Sequence, residues 1–245
     1  MHTGDSHQPP FYRDRIVPKD LISFTITIEE TDLLIFADRK LQKEADRAVL
    51  TYRRQLEKHI STFPEFARSL IPLPFQTEAP SLIREMLQAA RLAQVGPMAS
   101  VAGALAEQVG RDLLEQTRQV IVENGGDIFL SLSQAITVGI YAGSSPLSNK
   151  LAVKIPSTIT PLGVCTSSGT VGHSLSFGRA DAVTVIAHST ALADATATAL
   201  GNRVKNAADI EQGLDAIQHI DGIAGALIIV EDHFGAWGDI EIVPT

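Results

Sequence analysis

The stretch ISFTITIEETDLLIFAD reads as two runs of alternating or β-branched character around the polar step Glu30, Thr31 and Asp32. A β-hairpin is the simplest element with that pattern. Over residues 40–61 the period changes: Leu41, Ala45, Val49, Tyr52, Leu56 and Ile60 recur every three or four positions among charged neighbours, which predicts a long helix with one buried face. Pro64, Pro72, Pro74 and Pro80 then break any regular pattern over 62–80 and predict a connector. A second helix is expected over 81–94.

Gly96-Pro97 marks a turn into a helix whose first turns hold only small or apolar residues, so that backbone there can approach a neighbour closely. QVIVEN, DIFLSL, ITVGIYA, KLAVKI and DAVTVIA read as strands, separated by Asn124-Gly125-Gly126, residues 143–146 and residues 156–161. Ser189 is placed to cap a helix running to about residue 200, and another helix is expected over 207–220. GALIIVE and DIEIV supply the last strands, while residues 234–238 read as a surface turn. Paired helices and strands in meanders predict an α+β fold with a mostly antiparallel sheet and packed helices, as one domain over 1–245.

A 245-residue chain with 44% apolar residues can fill a core of that size. Cys165 is the single cysteine, which excludes an internal disulfide and any cysteine-rich metal site within one chain. With no apolar run of spanning length and a start, MHTGDSHQPP, unlike a secretory signal, a cytoplasmic location and no membrane partner are expected. Residues 1–91 are charge-balanced, so the net charge of −8 falls wholly in the remainder, and no basic stripe of the kind nucleic acid requires is present. Between residues 125 and 200 only Asp127, Lys150, Lys154, Arg179, Asp181 and Asp194 are charged. Isolated carboxylates among small apolar residues are candidate site residues.

Asp194 and Thr198 lie four apart in the expected alanine-rich helix, which places a carboxylate and a hydroxyl on one face. Mg²⁺ needs few protein ligands when water and phosphate complete its shell, so the pair suits a metal; the same spacing also arises from a solvated Asp and a packing Thr. The segment CTSSGTVGHS, residues 165–174, gathers a thiol, hydroxyls, glycines and a histidine. Its backbone amides suit an anion, and His173 beside Cys165 would favour a reactive thiolate. An inert cysteine ending a strand and a histidine bonded to backbone explain the same residues. Glu231-Asp232-His233 is a weaker metal candidate, and His188 stands near a helix start that could attract an anion.

The stretch AVTVIAHSTALADATATAL, residues 182–200, resembles the ApbE superfamily, in which a strand and an Ala-Asp-Ala-x-Ala-Thr-Ala helix supply the metal site. Ala193, Asp194, Ala195, Ala197, Thr198 and Ala199 match that motif in order. Asn124-Gly125-Gly126-Asp127 is similar to the family's Gly-Gly-Asp segment, residues 96–104 beginning at Gly96 to its Gly-rich helix start, and Thr166-Ser167-Ser168-Gly169 to its Thr-Ser-Gly. The likeness runs from about residue 96 to residue 201, whereas residues 1–91 look particular to one branch. It implies an ApbE-like, T-fold-related architecture, Mg²⁺ on Asp194 and Thr198, and a flavin (FAD or FMN) or other phosphate-bearing nucleotide near the glycine-bearing segments. Characterised members are Mg²⁺-dependent enzymes that cleave FAD and attach FMN to a protein threonine. They carry a His-x-x-Asp-Pro-x-Thr-Gly segment where this chain has His173-Ser174-Leu175-Ser176-Phe177-Gly178-Arg179, so transferase activity does not follow with the fold. The branch also resembles proteins associated with sulfide-dependent homocysteine formation, which implies an alternative role for Cys165 in sulfur transfer during anaerobic methionine synthesis. A third expectation is a non-catalytic subunit that binds a partner through its charged N-terminal part. A site built from small residues also suits completion by a second copy of the chain.

Overall fold

Residues 20–169 and 178–245 are described by a computed structural model, and among them the chain runs through eleven strands and five α-helices. The hairpin β1 (Ile22–Ile28) and β2 (Thr31–Ala37) leads into α1 (Gln42–Thr62) and α2 (Ser81–Ala93), then α3 (Val101–Leu114). There follow β3 (Val120–Asn124), β4 (Asp127–Ser131), β5 (Ile136–Gly139), β6 (Leu151–Ile155), β7 (Leu162–Ser167) and β8 (Ala182–Ala187). Helices α4 (Thr190–Arg203) and α5 (Ile210–Ile217) precede β9 (Ile223–Val230), β10 (His233–Gly238) and β11 (Glu241–Pro244).

Eight strands form one sheet in the order β1-β2-β3-β4-β7-β8-β9-β10, and every neighbouring pair is antiparallel. The order follows the chain except where β5 and β6 leave to join β11 in a three-stranded sheet. Strand period two sorts side chains between the faces. In β4, Ile128 and Leu130 join Val138, Val153 and Ile155 of the small sheet in one core, while Phe129 faces the helices. In β7, Leu162 and Val164 face the small sheet and Cys165 faces the helices. The large sheet is therefore covered on both faces, which explains why β8, AVTVIA, is buried at every position.

The α+β expectation holds, and two readings are corrected. Residues 162–167 form β7, so Cys165, Thr166 and Ser167 belong to a paired strand and not to an open anion-binding loop. Short length and few β-branched residues hid it. Residues 234–238 form most of the edge strand β10, paired with β9, where a surface turn was expected. Its glycines read as turn signals, but Gly235 is small because Ile210 and Leu214 of α5 lie over it. The turn between β3 and β4 is as legible as expected: Gly125 and Gly126 both have positive φ, 66° and 105°, and Asn124 pairs with Asp127 across a two-residue hairpin.

Candidate functional site

Helix α4 lies on β7 and β8 and packs against α2 and α3. Ser189 caps it, accepting from the Leu192 amide, as its position predicted. The crossing with α3 is unusually close because Gly103 has no side chain: a Cβ there would sit 2.5 Å from the Thr190 carbonyl oxygen and 2.8 Å from Asp194 Cβ. The Gly103 amide, in the first turn of α3 and lacking an intrahelical partner, instead donates to Asp194 Oδ2 at 2.9 Å.

Asp194 and Thr198 both face a cavity of about 360 Å³. Its wall also includes Asp127, Gly96, Ala102, Asn202 and residues Ala67, Ser69 and Leu70 of the proline-rich connector. Asp127 reaches it from the sheet, sharing the helix-facing side of β4 with Phe129, and pairs across the ladder with Cys165. The hairpin glycines set where that carboxylate starts, and Asn124 ties the turn to α3 through Nδ2 and the Ala102 carbonyl at 3.1 Å.

Both carboxylates hold their protons more tightly than usual. Burial pushes Asp194 up to about 7, against the opposing pull of the Gly103 and Ala102 amides. Burial, then the charge of Asp194, raises Asp127 well above the ordinary range, against the opposing pull of Cys165 and the Thr166 amide. None of the described lining residues is Lys, Arg or His, so among the described residues the pair has no counter-charge in that wall. Among the described residues no three His, Cys, Asp or Glu side chains converge on a common point. The oxygen set available is two carboxylates and the Thr198 hydroxyl, a hard donor set that suits Mg²⁺ better than zinc.

Of the other expected site residues, Gly96 lines the cavity and lets the Ser69 backbone pass where a Cβ would meet its oxygen at 1.8 Å. Cys165 is fully buried behind Asp127, its thiol donating to the Thr190 carbonyl at 3.4 Å. Burial, then the Asp127 and Asp194 charges, push that thiol well up, opposite to the thiolate expected from a neighbouring imidazole. Thr166 turns its hydroxyl to Thr184 at 2.9 Å, within the sheet, so only its backbone reaches Asp127. Ser167, Ser168 and Gly169 continue away from the cavity wall, and the Gly169 amide bonds the Ala180 carbonyl at 2.9 Å. His173 lies outside the described residues. His188 is exposed, and the helix start beside it is already served by a side chain: Glu107 Oε2 accepts from the Thr190 amide at 2.7 Å. His233 pairs with Asp232 at 2.7 Å on the exposed edge.

Three contributors went unread. Asn202 continues the spacing of Asp194 and Thr198 by one more helical turn, a signal present in the sequence. Gly103 stood within the small-residue helix start without being singled out. The connector residues carried no pattern, because four prolines leave neither period in 62–80.

An antiparallel sheet in this order, with a carboxylate-bearing helix laid over it, is the ApbE-like fold. The apo flavinyl transferase ApbE of Pseudomonas stutzeri aligns with TM-score 0.60 at 17% identity, over 89% of this chain and 93% of that one. The flavin transferase ApbE from Vibrio cholerae gives TM-score 0.61 at 15% identity, over 90% and 97%. At these identities the likeness concerns the fold. The family model described as AbpE bacteria matches residues 13–234, and the chain belongs to that family. It is 42% identical to a UPF0280 protein of Methanococcus vannielii over 227 residues, 90% of this chain and 92% of that protein. A UPF0280 protein of Methanocaldococcus jannaschii is 41% identical over the same shares.

Proposed function

We propose that this cavity binds a flavin or another phosphate-bearing nucleotide through a divalent cation, Mg²⁺, held by Asp194, Thr198 and Asp127. The observation that carries the reading is two buried acids, Asp127 and Asp194, facing one cavity whose described lining holds no basic side chain. Such a surface offers a bare phosphate no basic partner, but gives oxygen ligands to a cation that can bring one as the acids release their protons. The residues fit the ion: Asp194 lines the cavity with its Oδ2 already held by the Gly103 amide, and Thr198 stands one turn further along the same helix. When bound, Mg²⁺ supplies positive charge against phosphate oxygens. The protein's own part is to fix the two carboxylates before binding, with α3 amides on Asp194 and the β3–β4 turn behind Asp127. The family membership and the flavin transferases that share the fold favour a flavin among nucleotides.

Isothermal titration calorimetry with MgCl₂, followed by FMN, FAD and ADP with and without the ion, tests this. Mg²⁺-dependent nucleotide binding is expected. Absence of binding by all three nucleotides in saturating Mg²⁺ would remove the proposal. AMP release from FAD, followed in parallel, reports whether the cavity cleaves as well as binds.

A further inference from the structure

Helices α3 and α4 exchange carboxylates. Asp194, in the second turn of α4, accepts from the first-turn amide of Gly103, and Glu107, in the second turn of α3, accepts from the first-turn amide of Thr190. The two bonds lie four residues apart on each helix and run in opposite order, 103 to 194 and 107 to 190. Together they fix how far one antiparallel helix can slide along the other. Each also places a negative group where the partner helix exposes unpaired amides, the favourable end of its dipole.

Glu107 has no exposure to speak of, 1%, and its Oε2 is spent on this arrangement. Oε2 takes the Thr190 amide and, at 3.3 Å, the Ser189 hydroxyl; Oε1 takes Arg111 at 2.6 Å. It also borders a second cavity of about 400 Å³ with Arg84, Glu85 and Arg111. The polar groups there are engaged with protein: Glu85 with the Gln108 amide at 2.8 Å, Arg84 with the Ala79 carbonyl at 2.6 Å. That cavity presents no set of groups waiting for a ligand.

We propose that Glu107 is a positioning residue for the Asp194 site: it sets the register of α4 on α3, and so holds Asp194 and Thr198 at the cavity wall. The metal part of this statement rests on the function proposed above; the registration part does not. Two consequences follow. Because a carboxylate of the protein already occupies the start of α4, a phosphate cannot use that helix end and must be held at the Asp127–Asp194 end instead. Removing Glu107 should also be felt at Gly103, across the pair of helices, as well as locally.

The experiment compares E107A, E107Q and V153A, the last being a buried position of the small sheet, on the opposite face of the large sheet from α3 and α4. Amide hydrogen exchange at Gly103 reports registration without any metal, and calorimetry with MgCl₂ reports the site. E107A should raise Gly103 exchange at least about tenfold and weaken Mg²⁺ by about 10- to 100-fold, the range for partners that orient a metal ligand. E107Q, whose amide oxygen can still accept from Thr190, should stay within about threefold of wild type in both readouts. V153A should lower thermal stability and leave both unchanged. Should E107A fail to fold, E107D, too short to reach the Thr190 amide, is expected to show the same two losses. Unchanged Gly103 exchange in E107A or E107D, or equal losses in E107Q or V153A, overturns the inference. Raised Gly103 exchange in a protein whose wild type binds no Mg²⁺ upholds the registration and removes the metal reading alone.

Discussion

The amide of Gly103 and the carboxylate of Asp194 meet at 2.9 Å across the α3–α4 crossing, and the contact exists because residue 103 has no Cβ. An alanine there would place a methyl 2.8 Å from Asp194 Cβ and 2.5 Å from the Thr190 oxygen. Gly103→Ala should therefore push the helices apart at a cost of about 1–3 kcal/mol, read as a fall in melting temperature of roughly 2–4 °C per kcal/mol. Mg²⁺ affinity should fall with it. Normal affinity in a destabilised protein would show that the crossing does not set the site.

Asp194→Asn should separate stability from binding. Asp194 titrates near 7 in the folded protein against about 3.9 unfolded. The folded state thus binds the proton more tightly, and the stability linked to that proton is fully present below about pH 4 and lost as pH rises through about 7. Without metal, the asparagine variant should gain on wild type across that window, by about 1–2 kcal/mol at pH 8. It should show no Mg²⁺-induced rise in melting temperature. In wild type, Mg²⁺ binding should strengthen as pH rises through 7, since the ion displaces protons from both acids. A Mg²⁺ affinity flat from pH 5.5 to 8 would contradict the assignment.

Thr198→Val keeps the side chain's shape and removes one oxygen donor from the cavity wall. Mg²⁺ affinity should fall by about tenfold while thermal stability stays within about 0.5 kcal/mol. Retained affinity would assign Thr198 to packing.

Cys165 is buried and its thiol is held neutral by burial and by the acids beside it. Iodoacetamide at pH 8 should modify the folded protein at least about 100-fold more slowly than the chain in denaturant, since the thiolate is the reactive form. Rapid alkylation of the native protein would revive a thiol-based role.

Much of this was legible before any coordinates. Asp194 and Thr198 reach one wall because a four-residue spacing on a helix leaves no other arrangement, and the Asn124-Gly125-Gly126-Asp127 hairpin follows from turn chemistry alone. What stayed hidden depends on partners distant in sequence. Nothing local says that Glu107 meets Thr190, or that Ser69 passes over Gly96, because each contact exists only once α2, α3 and α4 have docked. Strand β7 was missed for a related reason: a run such as LGVCTS is held in place by its neighbours β4 and β8 more than by its own preference.

Asp127 is carried by the sheet and Asp194 by a helix lying on it, so the two acids stand on opposite sides of the boundary between layers. A cation shared between them would act as a rivet through that boundary. Empty, the acids keep their protons and no ion ties helix to sheet at that seam, so α4 is the first element expected to lift. Loaded, helix and sheet would come apart only together, so the width of the thermal transition, as well as its midpoint, becomes a gauge of occupancy.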